Sequence, residues 1–316
     1  MLVVTDSNAT RSPDRPGHRS SRYWLHAAFV ATVVGLVLMG IDLAGLLQLP
    51  PEARLSDAPP VDTTGSLIVA VARTPGGPDE WANWGQVIKY ISDELGQPIT
   101  VRYLSHEDEA TEVVLGEDID IAFLCAHQYV DLLDQDAVVG VATPIIRGSS
   151  LTQHLLVVRA DDPIQDFAAL EGSTFAISDK SSLGGFAYLA YLTAQLEMKP
   201  AEFCGELTLG ESQEQNMRAV LQGAVRATVV NTAQIGSWDM SRFRVLERSE
   251  SIGCPPVVAD AQLEPEVRDR IREILVSCDT EALLGTASAI DGFKVLDPLE
   301  YDFVYVLRDA CGHHIH

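Results

Sequence analysis

Beyond its first 65 residues, the chain alternates short β-branched runs with segments of helical periodicity. Leu67–Ala72 and Ile99–Tyr103 have the composition of strands. Between them, Trp81–Leu95 spaces its apolar residues three or four positions apart and stops before Gly96 and Pro98, which predicts an amphipathic helix. The same pattern predicts a helix over Glu107–Leu115 and strands over Ile119–Leu124, Leu155–Val158, Thr174–Ile177, Ala227–Val230 and Phe243–Leu246. Strands that alternate with helices predict an α/β fold with mainly parallel sheets.

The length of this region predicts two lobes. About 250 residues exceed what a single hydrophobic core usually holds, so we expect two lobes with a cleft between them. In open α/β sheets a ligand binds beyond the carboxyl ends of the strands. Side chains that directly follow predicted strands are therefore the first candidates for a binding site.

An apolar run near the N-terminus predicts a membrane segment. Tyr23–Ile41 contains 19 residues without Asp, Glu, Lys or Arg, and a helix of that length reaches about 28 Å, close to the roughly 30 Å core of a bilayer. We assign residues 23–47 to a single transmembrane anchor, residues 1–22 to a basic cytoplasmic tail and residues 48–65 to a Pro-rich linker. A cleaved secretory signal is the alternative. Either interpretation places the folded region in the periplasm or the extracellular space.

The charge of the chain limits its partners. Its 316 residues carry a formal net charge of -23, which excludes a long-range field that would attract nucleic acid or anionic lipid. The four arginines and two aspartates of residues 1–22 contribute +2, which leaves -25 for the remainder. Any anion that binds the folded region must therefore be held by local donors and dipoles.

The best local candidate for an anion site follows the predicted strand Thr174–Ile177. Ser178–Gly185 combines hydroxyl groups with two glycines and precedes an apolar helical pattern. The N-terminus of a helix offers unpaired N–H groups and the positive end of a dipole, so it can hold an oxyanion without net positive charge. An ordinary serine N-cap is the competing interpretation. The GxxxxGK[ST] spacing of a P-loop is absent from the sequence.

A second candidate follows the predicted strand Ile119–Leu124. Cys125 and His127 lie there two positions apart, and three interpretations compete: wall residues of the cleft, a pair of soft metal ligands, or a nucleophile with its base. A metal would need further ligands such as His154 or Cys254, and catalysis would need an orienting group and an oxyanion hole. The sequence contains no recognisable triad, metal motif or dinucleotide fingerprint, so we expect neither enzyme activity nor a cofactor.

Several segments, read in order, resemble the phosphate, phosphite and phosphonate solute-binding proteins of ABC transporters. The resemblance extends from Leu67 to about Tyr301. It implies the two-lobed type II periplasmic binding fold, with lobe one in residues 66–153 plus 250–316 and lobe two in residues 154–249. The matching segments are WGQVIKYISDELGQP (84–98), DIDIAFLCAHQYV (118–130), VATPIIRG (141–148), LLVVRADDPIQDFAALEG (155–172), FAISDKSSLG (175–184), RAVLQG (218–223) and SESIGCPPV (249–257).

The resemblance also implies which residues contact the ligand. The family's Ser-Thr-Ser-Gly turn corresponds to residues 181–184, where the third hydroxyl is missing. A family histidine corresponds to Gln213, which could donate to an anion as a neutral group. A family aspartate corresponds to Arg226, which could supply charge or sit in a surface ion pair. The expected ligand contacts are Ser181, Ser182, Gly184, Cys125, His127, Gln213, Asn231 and Arg226.

The function implied by the resemblance is that of an extracytoplasmic solute-binding protein in an ABC-type uptake system. Such a protein closes over a small oxyanion of the phosphonate, phosphite or phosphate type and presents it to a membrane permease. The N-terminal helix would tether it to the membrane, and nucleic acid is not an expected partner. The alternative is a membrane-tethered sensor or accessory subunit with a changed ligand, such as a metal or a thiol compound held by Cys125, His127, His154 and Cys254.

Overall fold

The structure is a computed structural model that describes residues 65–72, 78–104, 109–116, 118–177, 183–210, 212–236 and 238–312. The predicted cytoplasmic tail and membrane anchor lie outside these residues, as does the predicted linker apart from Gly65. Among the described helices, none combines the length and the hydropathy that a bilayer crossing requires.

Strands and helices alternate along the described chain. In chain order the strands are β1 (Leu67–Val71), β2 (Ile99–Tyr103), β3 (Ile121–Phe123), β4 (Val138–Ile146), β5 (Leu151–Thr152), β6 (His154–Arg159), β7 (Thr174–Ile177), β8 (Glu206–Leu209), β9 (Ala227–Asn231), β10 (Phe243–Arg248), β11 (Ile252–Gly253), β12 (Val257–Asp260) and β13 (Ile290–Val295). The α-helices are α1 (Pro78–Leu95), α2 (Glu109–Gly116), α3 (Ala126–Leu133), α4 (Tyr188–Ala194), α5 (Pro200–Phe203), α6 (Gln213–Gln222), α7 (Pro265–Val276), α8 (Thr280–Leu284) and α9 (Asp302–Gly312). A π-helical turn, Leu183–Ala187, leads directly into α4.

Two large sheets organise most of these elements, and β5 pairs with β11 in a separate two-stranded sheet. A six-stranded sheet has the order β13-β4-β12-β3-β1-β2, and a five-stranded sheet has the order β10-β6-β9-β7-β8. We call the six-stranded sheet with its packed helices lobe one, and the five-stranded sheet with its packed helices lobe two. Lobe one takes its strands from residues 67–146 and 257–295, whereas the strands of lobe two lie within residues 154–248. The α/β prediction is therefore confirmed.

The prediction of mainly parallel sheets was wrong, because both sheets are mixed. β1 runs parallel to β2 and β3, and β7 runs parallel to β8 and β9. In contrast, β6 is antiparallel to β9, and β12 is antiparallel to β3 and β4. β6 and β12 are the first long strands after each passage of the chain between lobes. Each of these two strands starts beside the carboxyl end of its neighbour, β6 beside the end of β9 and β12 beside the end of β3. The entering strand therefore runs in the opposite direction.

The core of lobe one confirms the predicted amphipathic helix. α1 buries Trp84, Val87, Ile88 and Ile91 against the sheet. The indole ring of Trp84 lies 5.0 Å from the ring of Phe123, centroid to centroid. Burial of large apolar side chains of this kind is the main stabilising term for such a helix.

The C-terminal helix α9 connects the two lobes. Phe303 packs edge-on against Tyr191 of α4 in lobe two, with ring centroids 5.3 Å apart. On the lobe-one side, the guanidinium of Arg308 binds Asp131 at 3.1 Å and Asp134 at 2.7 Å. One hydrophobic core cluster accordingly contains buried residues from both sheets and from α9.

Two segments carry the chain between the lobes, and they bind each other. The backbone N–H of His154 donates to Ser249 Oγ at 2.8 Å, and the N–H of Ser249 donates back to the His154 carbonyl at 2.9 Å. The side-chain amide of Gln153 donates to the carbonyl of Ser249 at 3.0 Å. These bonds join the two connections into one narrow hinge.

Candidate functional site

The carboxyl end of β9 meets the start of α6 through the side chain of Gln213. The Asn231 N–H donates to Gln213 Oε1 at 2.6 Å, and Gln213 Nε2 donates to the Asn231 carbonyl at 3.2 Å. Gln213 is buried, and both polar atoms of its amide bind the Asn231 backbone. Gln213 therefore fixes the position of Asn231 at the point where β9 ends.

The side chain of Asn231 is oriented by a chain of hydrogen bonds that starts in the hinge. The N–H of Gln153 donates to Thr232 Oγ1 at 2.9 Å, and the hydroxyls of Thr232 and Thr152 are 3.1 Å apart. The Thr152 hydroxyl then donates to Asn231 Oδ1 at 2.5 Å. Ala233 N–H also donates to that oxygen, at 2.9 Å. Hydrogen bonds in a chain polarise one another, so this arrangement holds the amide firmly.

His154 lies directly opposite Asn231 in the antiparallel ladder of β6 and β9. Residues opposite each other in a ladder place their side chains on the same face of the sheet. The His154 ring lies 6.1 Å from the ring of Tyr188, which begins α4. His154 is 3% exposed, and its Nδ1 has no hydrogen-bond partner within the described segments of the chain. Burial lowers the pKa of His154 to about 4, so the ring is neutral at physiological pH.

Only the end of the predicted anion segment, from Leu183 onward, lies among the described residues. The π-helical turn Leu183–Ala187 packs against β9 and contains Gly184. Ser181 and Ser182 lie outside the described residues. Because β7 ends at Ile177 and the helix begins at Leu183, the intervening chain joins the carboxyl end of a strand to a helix N-terminus, as the sequence predicted.

Cys125 and His127 occupy the start of α3, beyond the carboxyl end of β3 in lobe one. The N–H of Cys125 donates to Oε1 of Gln128 at 3.0 Å, which caps the first turn of α3. Both side chains are half-buried. They thus follow a strand, as the sequence predicts, and their role as the wall of a cleft stays a prediction.

The four residues of the proposed metal or thiol site are not assembled into one cluster. Among the described residues, no group of three or more His, Cys, Asp or Glu side chains could hold a metal ion. Cys254 is buried, its thiol contacts the Ser149 carbonyl at 3.7 Å, and burial raises its pKa to about 12. A thiol with so high a pKa is a poor metal ligand, because the thiolate is the form that binds.

Arg226 stands apart from the other candidates. It precedes β9, whereas Asn231 ends that strand. Its guanidinium makes a two-pronged pair with Asp162, through Nε to Oδ2 at 3.0 Å and Nη2 to Oδ1 at 3.1 Å. The Arg226 side chain holds the pKa of Asp162 below its usual range. The structure therefore brings Gln213 and Asn231 together and places Arg226 at the other end of the strand.

Sequence reasoning missed Thr152 and Thr232 and considered His154 only as a metal ligand. Thr152 is buried although it lies in the connection between lobes, and His154 is buried although it carries a titratable ring. The sequence does show that a polar residue, His154, directly precedes the apolar run Leu155–Val158. A polar side chain at the first position of a buried strand usually requires a partner or a ligand.

Comparison with known proteins agrees with this architecture. The model of the family described as "ABC transporter, phosphonate, periplasmic substrate-binding protein" matches residues 77–301. Three solved structures share the two-lobed α/β fold of periplasmic binding proteins. A Xanthomonas citri protein bound to ATP has 14% identity and a TM-score of 0.66, with 80% of this chain and 100% of that chain covered.

The descriptions of the other two structures both name a phosphonate. A binding-protein component of an ABC phosphonate transporter from Pseudomonas aeruginosa has 17% identity and a TM-score of 0.63, with 78% and 86% coverage of this chain and that one. PhnD1 from Prochlorococcus marinus, in complex with methylphosphonate, has 14% identity and a TM-score of 0.64, with 78% and 98% coverage. The family model covers well over half of the sequence. The chain therefore belongs to the family of periplasmic substrate-binding proteins of phosphonate ABC transporters.

Proposed function

We propose that the chain binds a small oxyanion of the phosphonate, phosphite or phosphate class between its lobes and delivers it to an ABC permease. The membership of residues 77–301 in a phosphonate-binding family carries the proposal. Proteins of this family bind a substrate for transport, so the proposed function needs no covalent step. Closure of two lobes about a hinge converts occupancy into a shape that a permease can recognise.

The geometry of lobe two supports an oxyanion. A helical turn begins at Leu183, shortly after β7 ends at Ile177, and the N–H groups at a helix start stabilise a negative charge. Asn231 adds a neutral amide at the neighbouring strand end. We propose that Ser181 and Ser182 complete the set through their hydroxyls, with Gly184 donating through its backbone. This combination needs no cation, in agreement with the strongly acidic chain.

Isothermal titration of the full chain in mild detergent tests the proposed ligand class. The titrants are methylphosphonate, phosphite, phosphate and sulfate. ATP is included because a protein of the same fold was solved with it. We expect at least one of the first three to bind in the micromolar range or tighter. Failure of all three would overturn the oxyanion proposal, and binding of ATP alone would replace it with a nucleotide.

The salt dependence of this titration is a second readout. Beyond residue 22 the chain has a formal net charge of about -25, which repels a small anion at long range. The proposed contacts act only at short range. Inert salt should therefore leave the affinity unchanged or raise it slightly. A steep loss of affinity on adding sodium chloride would contradict capture by local dipoles.

We further propose that residues 23–47 tether the protein to the cytoplasmic membrane, with the binding lobes outside. The support is the apolar run Tyr23–Ile41, preceded by four arginines. After expression in a bacterium, we expect the chain to sediment with membranes and to resist carbonate extraction. A variant in which a cleavable secretory signal replaces residues 1–47 should be released as a soluble periplasmic protein. Recovery of the unaltered chain as a soluble, N-terminally shortened protein would show a cleaved signal instead.

A further inference from the structure

We infer that Asn231 sets the ligand class of the cleft by presenting amide donors and no acceptor, so that an oxyanion is selected over an analogue that carries an ammonium group there. The inference deepens the proposed function and rests on it, because it assumes that an oxyanion binds between the lobes. It concerns the end of β9, where the strand meets both the hinge and α6.

The hydrogen bonds leave only one orientation for the Asn231 amide. A backbone N–H can only donate, so the atom that Ala233 N–H approaches at 2.9 Å must be the oxygen. The Thr152 hydroxyl approaches the same atom at 2.5 Å. The acceptor oxygen of Asn231 is thus engaged twice by the protein. Its Nδ2 forms no hydrogen bond with the part of the chain that the structure describes, and the residue is only half-buried.

Among the described residues, the side chains that bind Asn231 carry no charge. Thr152 and Gln213 contact it with a hydroxyl and an amide, and His154, opposite in the ladder, is neutral because it is buried. A ligand ammonium at this place would meet amide donors and lose its water without compensation, which is costly. A ligand oxygen would accept from Nδ2 and replace the lost water.

Two residues act on the ligand through Asn231 and are positioning residues. Gln213 holds the Asn231 backbone by two hydrogen bonds, and Thr152 holds its side-chain oxygen. Thr152 lies at the hinge, next to Gln153. The orientation of the Nδ2 donors therefore depends on the same segment about which the lobes would close in the proposed function.

The test compares two ligands that differ by an ammonium group, methylphosphonate and 2-aminoethylphosphonate, by titration of the full chain. We expect the unaltered protein to prefer methylphosphonate. Asn231→Asp keeps an oxygen for Thr152 and Ala233 but replaces the donors with a carboxylate oxygen. It should weaken methylphosphonate binding by about tenfold to a hundredfold, weaken the ammonium ligand much less, and so lower the preference at least about tenfold.

Thr152→Val tests the positioning role. It keeps the shape of the side chain and removes the hydroxyl that holds Asn231 Oδ1. The Asn231 oxygen then keeps only the hydrogen bond from Ala233 N–H, so the amide turns more easily and the preference for methylphosphonate should fall several-fold. A purely structural role for Thr152 would lower stability and leave the ratio of the two dissociation constants unchanged.

Gln234→Glu is the matched charge control, because it adds the same negative charge three residues further on at an exposed position. It should leave the ratio within about twofold. An unchanged ratio in a folded Asn231→Asp protein would overturn the inference. If that variant does not fold, Asn231→Ala must weaken methylphosphonate binding about tenfold, and a smaller effect overturns the inference equally. If the unaltered protein binds neither phosphonate nor phosphate, the proposed function itself fails.

Discussion

Replacing Gly253 with alanine is expected to lower the free energy of unfolding by about 2 to 3 kcal/mol. Gly253 ends β11, just after the chain has returned from lobe two. An ideal Cβ at this position would lie 2.4 Å from Cζ and 2.6 Å from the hydroxyl oxygen of Tyr301. Carbon atoms in contact normally stay about 3.5 to 4.0 Å apart, so either the ring or the strand must move.

The ring of Tyr301 has no space into which it can move. It is fully buried, and its hydroxyl donates to the Cys254 carbonyl at 2.7 Å and lies 3.2 Å from Thr143 Oγ1. Its other side packs edge-on against Tyr129, with ring centroids 4.9 Å apart. A shift of Tyr301 would therefore break a buried hydrogen bond and disturb the packing of α3.

Gly116→Ala is the matched control, because a Cβ at Gly116 would meet no atom within 4 Å. Gly116 ends α2, where alanine costs nothing and can stabilise slightly. Denaturant unfolding of the three proteins at one pH is the measurement. A midpoint for Gly253→Ala equal to that of Gly116→Ala would show that lobe one accommodates the extra methyl group.

Acidification is expected to destabilise the protein by about 2 to 3 kcal/mol between pH 7 and pH 4.5 through His154 alone. Burial lowers the pKa of His154 from about 6.5 to about 4 in the folded chain. Below pH 6.5 the unfolded chain therefore binds a proton that the folded chain does not. The contribution to stability is fully present above pH 6.5 and falls as the pH approaches 4.

His154→Gln should remove this part of the pH dependence, although the substitution also lowers stability at neutral pH. The quantity to compare is the change in unfolding free energy from pH 7 to pH 4.5, measured with denaturant for the unaltered protein and the variant. His127→Gln, at a half-buried position on α3, is the control and should keep most of the dependence. Equal acid sensitivity in the unaltered protein and His154→Gln would mean that the buried ring takes up a proton without penalty.

Local periodicity was sufficient to predict seven of the thirteen strands in the described part of the chain, together with α1. α1 and the strands β1, β2, β3, β6, β7, β9 and β10 lie where the sequence predicts them, with ends that differ by up to three residues. Strand direction could not be predicted in the same way. The antiparallel β6 and β12 look like any other apolar run, and their direction follows from the passage of the chain between lobes, which is a long-range property.

The sequence predicted where the candidate site residues lie better than it predicted what each side chain does. A strand end drew attention to Cys125 and the family resemblance to Gln213, while Asn231 was named among the expected ligand contacts. All three lie at the ends of strands or the starts of helices. The sequence could not show that Gln213 binds the Asn231 backbone or that Arg226 pairs with Asp162, because each pair is distant along the chain. Ser181 and Ser182 stay predictions.

The order of the strands along the chain affects how the protein folds during synthesis or export. All strands of lobe two are present once Arg248 has been synthesised or exported, whereas lobe one still lacks β12 and β13. β12 lies between β3 and β4, so both of these strands have an unpaired edge until residue 260 has emerged. Unpaired strand edges in a half-made sheet invite association with other chains. The sheet of lobe two can therefore form early, whereas the sheet of lobe one stays incomplete until β12 and β13 have emerged.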